Sequence, residues 1–314
     1  MTHLGSSVAF LCVVFSVVKV LFLFFLLLSI DPAMAISPQF ASASYALGAV
    51  CTWGISDFLG GYVARRFQAF FLAALGHLSG TILMVTIALS AHEPFPPQSH
   101  LIWAAAAGVA GGVALAFFYR ALSQGNMGIA APVGAVLSAG IPTVIGISRE
   151  GFPGYVPCAG FGLALLGIWL VSRPEDASRP KGLVLAVAAG IGFALFYIFI
   201  KKTGSGDAFW IAAIARTASF AITGTITLAG RRFTPFYLGG LWLGLLAGCI
   251  DVSGTAFFVR ASQTGRLDTA VVLSSLYPAI TVLMARIFLH EHFTRWKAVG
   301  ILAALVAIPM IAKP

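Results

Sequence analysis

Eleven stretches of roughly 20 mostly apolar residues follow one another along this chain, separated by short polar breaks. About 20 such residues are what a helix needs to cross the hydrocarbon core of a bilayer. A water-soluble fold could not cover that much apolar surface. Of 314 residues, 59% are hydrophobic and only 9% charged, whereas a soluble domain carries about 25% charged residues. The chain therefore reads as an all-α, polytopic membrane helix bundle.

The first stretch, 9–30, is interrupted by Lys19 and followed by Asp31-Pro32-Ala33-Met34-Ala35. An apolar core before Ala-Met-Ala resembles a signal-peptide cleavage region, although no Lys or Arg precedes Lys19. Three readings stay open for residues 1–35: a cleaved signal, an uncleaved extra helix, or a start that belongs at Met34. Ten further runs lie at roughly 43–63, 68–90, 101–120, 127–147, 155–172, 182–201, 207–229, 237–259, 267–289 and 295–312. Their short connections predict antiparallel neighbours. A charged stretch near the middle, with Arg173, Glu175, Asp176, Arg179 and Lys181, reads as a water-exposed linker. The expected parts are a hydrophobic segment at 1–35, a first unit at 43–172, a linker at 173–181 and a second unit at 182–312.

The net charge of +9 does not mark a nucleic-acid binder, because Lys and Arg stand singly or in pairs between apolar runs and form no basic stripe. They flank membrane helices, where positive charge sets orientation. Cys12, Cys51, Cys158 and Cys249 lie in apolar stretches without CxxC spacing, so they read as small buried hydrophobes. The 34 glycines, several in pairs such as Gly111-Gly112 and Gly239-Gly240, suit close helix packing in lipid.

A repeat organises the runs. Ala116-Phe117-Phe118-Tyr119-Arg120-Ala121 recurs 140 residues later as Ala256-Phe257-Phe258-Val259-Arg260-Ala261. Gly160 and Gly300 share that offset, and Glu150 and Glu291 nearly do. Each unit would hold five helices. Since five is odd, the second unit enters the membrane from the opposite side, which makes an inverted-topology repeat as in many secondary transporters.

With these residues in view, the chain resembles EamA-type members of the drug/metabolite transporter superfamily. The resemblance rests on Thr52-Trp53-Gly54, Phe118-Tyr119-Arg120-Ala121-Leu122, the stretch from Pro132 to Pro142, Ser274-Ser275-Leu276-Tyr277-Pro278, and Glu150 and Glu291. It covers about 44–312. It implies ten helices, a central cavity near the midplane, and movement of metabolites. One departure is that Glu150 follows Pro142 by 8 residues but Glu291 follows Pro278 by 13.

Connections after the odd-numbered repeat helices hold ten Lys and Arg, from Arg65 to Lys297, and the other side holds six. Positive charge then places the ten-charge side in the cytoplasm. The expected location is a bacterial-type cytoplasmic (inner) membrane.

Charges inside membrane spans are costly, about 2.5–3.5 kcal/mol each on insertion scales, and default to functional candidates. Asp57, Arg216, Asp251 and Arg286 are such charges, and His77 is a titratable companion. Trp53, Asp57 and Gly60/Gly61 recur at helical spacing and share a face. Asp251 shares a face with Ala247, Gly248, Gly254 and Thr255. Arg216 either pairs with Asp251 or holds a substrate carboxylate. Arg286 can snorkel to the interface, and Glu150 and Glu291 read as helix-end anchors. Pro132, Pro142 and Pro278 lie in apolar runs and predict kinks; Ser138, Ser274, Ser275 and Tyr277 lie close by, and Tyr119 and Tyr197 are weaker candidates. The expected substrate-binding set is Trp53, Asp57, Arg216, Asp251, Ser274, Ser275 and Tyr277. Asp57, Asp251 and His77 are the expected proton-coupling groups.

No catalytic residue, metal site or cofactor is expected. His290 and His292 are two apart and face different sides of a helix. The functional expectation is a secondary active transporter for small metabolites, amino acids or related solutes, with the lipid bilayer as its surroundings and no nucleic-acid partner. A homodimer is compatible and a monomer suffices. A non-transporting scaffold or sensor, and a membrane-embedded enzyme, are the alternative classes.

Overall fold

The computed structural model describes residues 37–64, 68–123, 127–172, 183–230, 238–289 and 294–312. The segment 1–35, the linker 173–181 and the His290-Glu291-His292 cluster lie outside the described residues. All described secondary structure is α-helical: α1 Pro38–Ala64, α2 Ala69–Ser90, α3 Gln98–Ser123, α4 Met127–Glu150, α5 Tyr155–Ser172, α6 Leu183–Lys202, α7 Ala208–Ala229, α8 Leu238–Thr264, α9 Leu267–Ser274, α10 Tyr277–Leu289 and α11 Arg295–Ala312. Seven stretches among the described residues are long and apolar enough to cross a membrane. They are α2, α3, α6, α7, α8, α11 and the α9–α10 stretch Leu267–Phe288. The protein is thus an integral, multi-pass membrane protein.

Helix starts follow ordinary capping chemistry. The Gln68 side chain accepts the Phe71 N–H at 2.9 Å before α2. Asp207 does the same for Trp210 at 2.9 Å before α7, relieving one of the donors orphaned at a helix start. The turn before it uses Gly204 at φ +65°, a conformation that suits glycine.

The run at 267–289, read from sequence as one helix with a kink, is two helices. Ser275 donates its N–H to Val271 O at 2.9 Å, and Leu276 donates to Leu273 O at 3.1 Å, so the last turn tightens and stops. Pro278 then falls in the first turn of α10, where its missing N–H would have had no helical acceptor anyway. By contrast, α4 runs without interruption past Pro132 and Pro142.

Packing pairs helices from the two halves. α1 lies along α8 and against α10; α3 lies along α6 and α7. α2 lies along α7 and α8, α4 against α6 and α9, and α5 along α11. Small residues set the crossing distances. A Cβ at Gly167 would meet Gly300 O at 2.8 Å, and one at Gly300 would meet Gly167 O at 2.9 Å. A Cβ at Gly248 would fall on the backbone of Gly76, and one at Gly108 on that of Ala215. Between these crossings runs an alanine-rich core with Phe257 and Phe258 fully buried.

One end of the bundle is tied by polar contacts. Lys201 Nζ lies 3.3 Å from Glu150 Oε1 and donates to Ser262 O and Gly265 O at 2.7 and 2.8 Å. The Leu267 N–H donates to Glu150 Oε2 at 2.9 Å. Arg266 pairs with the fully buried Asp268 and donates to Glu150 O and Gly151 O. Bonding to Asp268 pushes the Arg266 guanidinium up from its ordinary value. Gln39 donates to Thr269 Oγ1 at 3.1 Å, Gln263 to Gly206 O at 2.7 Å and Trp210 to Glu93 O at 3.0 Å. Lys202 sits 4.1 Å above the Trp103 ring. This end thus collects the starts of α1, α3, α7 and α9 and the ends of α2, α4, α6 and α8, which makes consecutive helices antiparallel. Glu150 anchors a helix end here.

These contacts should keep Thr269, now 1% exposed, from reagents in solution. Glu150→Gln is expected to raise severalfold the labelling rate of Thr269→Cys by a membrane-impermeant maleimide. Equal rates with and without the substitution would mean that Glu150 does not hold this end shut.

Candidate functional site

Halfway along the bundle the helices part around a cavity of about 170 Å³. Its walls come from α1, α2, α3, α4, α6, α7, α8 and α10. The lining runs from the level of Trp53 and Tyr197 toward Gly60, Leu72 and Gly244, away from the tied end. Asp57 is exposed within it, while Trp53 and Ser56 are buried.

Helical spacing places the first group. Trp53, Asp57 and Gly60 line the cavity from α1, as the shared face predicts; Gly61 is exposed and turned away from it. Ser56 Oγ donates to Ala247 O at 2.9 Å, and the Trp53 indole N–H donates to Asp251 O at 3.1 Å. These bonds fix α1 against α8. Gly254 makes room for the indole, since a Cβ there would lie 2.5 Å from Trp53 Cδ1.

The second group is a charged bridge between α7 and α8. Arg216 Nη2 lies 2.8 Å from Asp251 Oδ2 and also bonds to Thr255 Oγ1. Its Nη1 faces His77 Nδ1 at 3.5 Å. A guanidinium has only donors, so His77 Nδ1 must accept, which assigns a neutral imidazole with its hydrogen on Nε2. That Nε2 is buried and has no partner among the described residues. Of the two sequence readings of Arg216, the pairing with Asp251 is the one present.

The third group is an aromatic floor. Trp53 lies 6.1 Å from Tyr197, 5.9 Å from Phe258 and 6.2 Å from Tyr277, ring centre to centre. Tyr197 and Phe258 are 4.7 Å apart. Such tilted and edge contacts add stabilisation beyond the buried area.

The structure therefore brings together Trp53, Asp57, His77, Arg216, Asp251 and Tyr277, with Ser138 and Tyr197 beside them. Ser274 and Ser275 are placed elsewhere: both are fully buried at the α9–α10 break, outside the cavity lining. Proximity to Pro278 in sequence suggested lining, but the break buries both: α9, which ends at Ser274, packs against α1 and α4, and Ser275 lies beneath the cavity beside Tyr197. Arg286 sits exposed on α10, away from the cavity. The Tyr119 side chain lies outside the described residues.

Sequence reasoning missed Phe193, Phe196 and Gly111. The repeat offset was the available signal. Phe193 lies 140 residues after Trp53, Phe196 140 after Ser56, and Gly111 140 before Asp251; all six line the cavity.

Fold and cavity together define an integral multi-pass helical membrane protein with a central chamber, largely apolar, that holds four titratable side chains. Residues 40–173 and 180–313 each match the EamA-like transporter family, and the chain belongs to that family, the EamA type of the drug/metabolite transporter superfamily. Its members are transporters rather than enzymes. Mouse (Mus musculus) Solute carrier family 35 member G1 is 26% identical over 185 residues, covering 54% of this chain and 47% of that protein. The Uncharacterized transporter YvbV of Bacillus subtilis (strain 168) is 27% identical over 137 residues, covering 41% of this chain and 44% of that protein. The matches thus span just under half the length of these curated relatives. A solved crystal structure superposes with a TM-score of 0.70 over 86% of this chain and 95% of the other at 17% identity, a likeness of fold.

Proposed function

We propose that the chain is a secondary active transporter that works by alternating access, with ten spans arranged as two inverted five-helix repeats. The seven long apolar stretches, with α1, α4 and the shorter α5, supply the ten. The observation that carries the reading is a central cavity, largely apolar, into which Asp57, His77, Arg216 and Asp251 project, with the polar ties gathered at one end of the bundle.

Repeat-related contacts support the inversion. The crossing of Gly76 with Gly248 has a counterpart in that of Ala215 with Gly108, each residue displaced by 139 or 140 positions. Likewise Gly80 against Val252 matches Ser219 against Gly112. Thr52 against Gly254 matches Gly192 against Ala114, and Gly160 against Ala307 matches Gly300 against Gly167. Exchanging the halves returns the same packing, as expected of half-bundles that can rock about a shared site.

The solutes are small polar or amphipathic metabolites, with amino acids and related amines the first to try. Trp53, Asp57, Arg216, Asp251 and Tyr277 form the binding surface. Asp57 and Asp251 are the proton-coupling candidates. His77 could serve only by giving up its contact with Arg216, because an imidazolium has no acceptor to offer it. On this reading the connections after α1, α3, α5, α7 and the ninth span, which carry more Lys and Arg, lie in the cytoplasm, and the chamber faces that side. A bacterial-type inner membrane fits this arrangement.

The test is uptake and efflux in proteoliposomes under an imposed pH gradient. Gradient-driven flux is expected in the native chain and loss of gradient dependence in Asp57→Asn. Unchanged gradient-driven flux in Asp57→Asn would remove this residue from coupling, and absence of flux for every solute tried would sink the transporter reading.

A further inference from the structure

We propose that the cavity binds a small organic monocation, an amine or quaternary ammonium without a carboxylate of its own. Its charged nitrogen sits against Asp57, and its apolar body rests on the floor of Trp53, Tyr197 and Tyr277. The inference deepens the transporter reading and rests on it only for what happens to the cation once bound.

The argument starts from a charge count around the chamber. Four groups with titratable heads meet there besides the tyrosines: Asp57, His77, Arg216 and Asp251. Arg216 and Asp251 cancel one another across 2.8 Å. His77 is neutral by its contact with Arg216. Asp57 is left, with no ion pair or hydrogen bond among the described residues and a side chain exposed to the cavity. An unpaired carboxylate inside an apolar bundle is costly, and such groups take up a proton, pair with a cation or mark a solute path. The complement that the site lacks is one positive charge.

The walls favour the same class. Trp53, Phe118, Phe193, Phe196, Tyr197 and Tyr277 all face the chamber. Aromatic faces attract cations, most of all when these are desolvated. A cation whose charge is spread over an amine or ammonium head with an apolar body satisfies both the carboxylate and the rings. A strongly hydrated metal ion would need several oxygen ligands, and no three His, Cys, Asp or Glu side chains are placed to hold a metal ion among the described residues.

Anions and zwitterions fit less well. A solute carboxylate would face Asp57 and Asp251, and the guanidinium that could receive it already gives Nη2 to Asp251 and Thr255, while its Nε, without a partner among the described residues, is buried. Capturing it would mean breaking the bridge and stranding Asp251.

Three probes with one ring separate these cases: phenethylamine, phenylalanine and 3-phenylpropionate. Equilibrium binding is measured on the full chain in lipid nanodiscs, where flux plays no part. Saturable phenethylamine binding is expected, with phenylalanine at least about tenfold weaker and 3-phenylpropionate not competing. Asp57→Asn should weaken phenethylamine by at least about tenfold, while Asp57→Glu retains it within a few fold. Asp57 bonds nothing among the described residues, so neither substitution strands a partner, and an unchanged unfolding midpoint confirms an intact bundle. Binding that is unsaturable, that survives Asp57→Asn, or that 3-phenylpropionate matches would overturn the proposal. Saturable amine binding without flux in proteoliposomes would overturn the transporter reading and leave this site standing. Flux of phenylalanine or 3-phenylpropionate without amine binding would do the reverse.

Discussion

Asp251→Ala is expected to destabilise the folded bundle by about 3 kcal/mol, the low end for removing one partner of a buried ion pair. Arg216 is mostly buried, and its Nε already lacks a partner among the described residues. Removing Asp251 leaves its charge facing His77 and Thr255 alone. An apolar replacement of both partners, Arg216→Met with Asp251→Leu, is expected to recover most of the loss, because the stranded charge goes with the partner. Asp57→Asn, in the same cavity, should stay within about 0.5 kcal/mol of the native chain, since it removes no contact. Thermal unfolding midpoints in lipid nanodiscs check all three. If the double replacement unfolds as early as Asp251→Ala, the loss comes from packing and not from an uncompensated charge.

The helix crossings give the second large effect. Gly248→Ala and Gly108→Ala each put a Cβ onto the backbone of a facing helix. Backbone cannot swing aside as a side-chain tip can, so the helices must separate. A cost of about 2–3 kcal/mol is expected for each, at the upper end of overpacking. Gly140→Ala is the control, with nothing within 4 Å of its added Cβ; a helical glycine there costs up to about 1 kcal/mol relative to alanine, so it should be neutral or slightly stabilising. Comparable losses at Gly248 and Gly108 would follow from their repeat relation. A neutral Gly108→Ala beside a damaging Gly248→Ala would mean that the two crossings are not equivalent.

These cases show what the sequence could and could not reveal. Asp57, Arg216 and Asp251 stood out because a charge in an apolar run is an exception, and one-dimensional patterns show exceptions. The face shared by Trp53 and Asp57 also followed from spacing alone. The sequence left the partner of Arg216 open between Asp251 and a substrate carboxylate. That Arg216 meets Asp251, and that His77 backs it from α2, depends on three helices crossing at distances set by glycines. Phe193 and Phe196 were hidden for the opposite reason: on an apolar helix, a phenylalanine facing a cavity looks like one facing lipid. Only their relation to Trp53 and Ser56 by the repeat distinguishes them. The position of the break near Ser275 was displaced from the proline that announced it, because Pro278 is tolerated in a first turn and the preceding turn closes by itself.

The polar ties around Glu150, Lys201, Arg266 and Asp268 have a counterpart in what the solute must do. If the proposed alternating access holds, these bonds are made only while that end is shut, and they lower the energy of this arrangement whether or not anything occupies the chamber. An empty carrier would then rest with its chamber facing one compartment and would seldom reverse. The strength of the ties sets a standing leak: loosening them would let the unloaded protein cycle on its own, dissipating whatever gradient drives it. Tight stoichiometry in such a carrier is therefore a property of its far end as much as of its binding site.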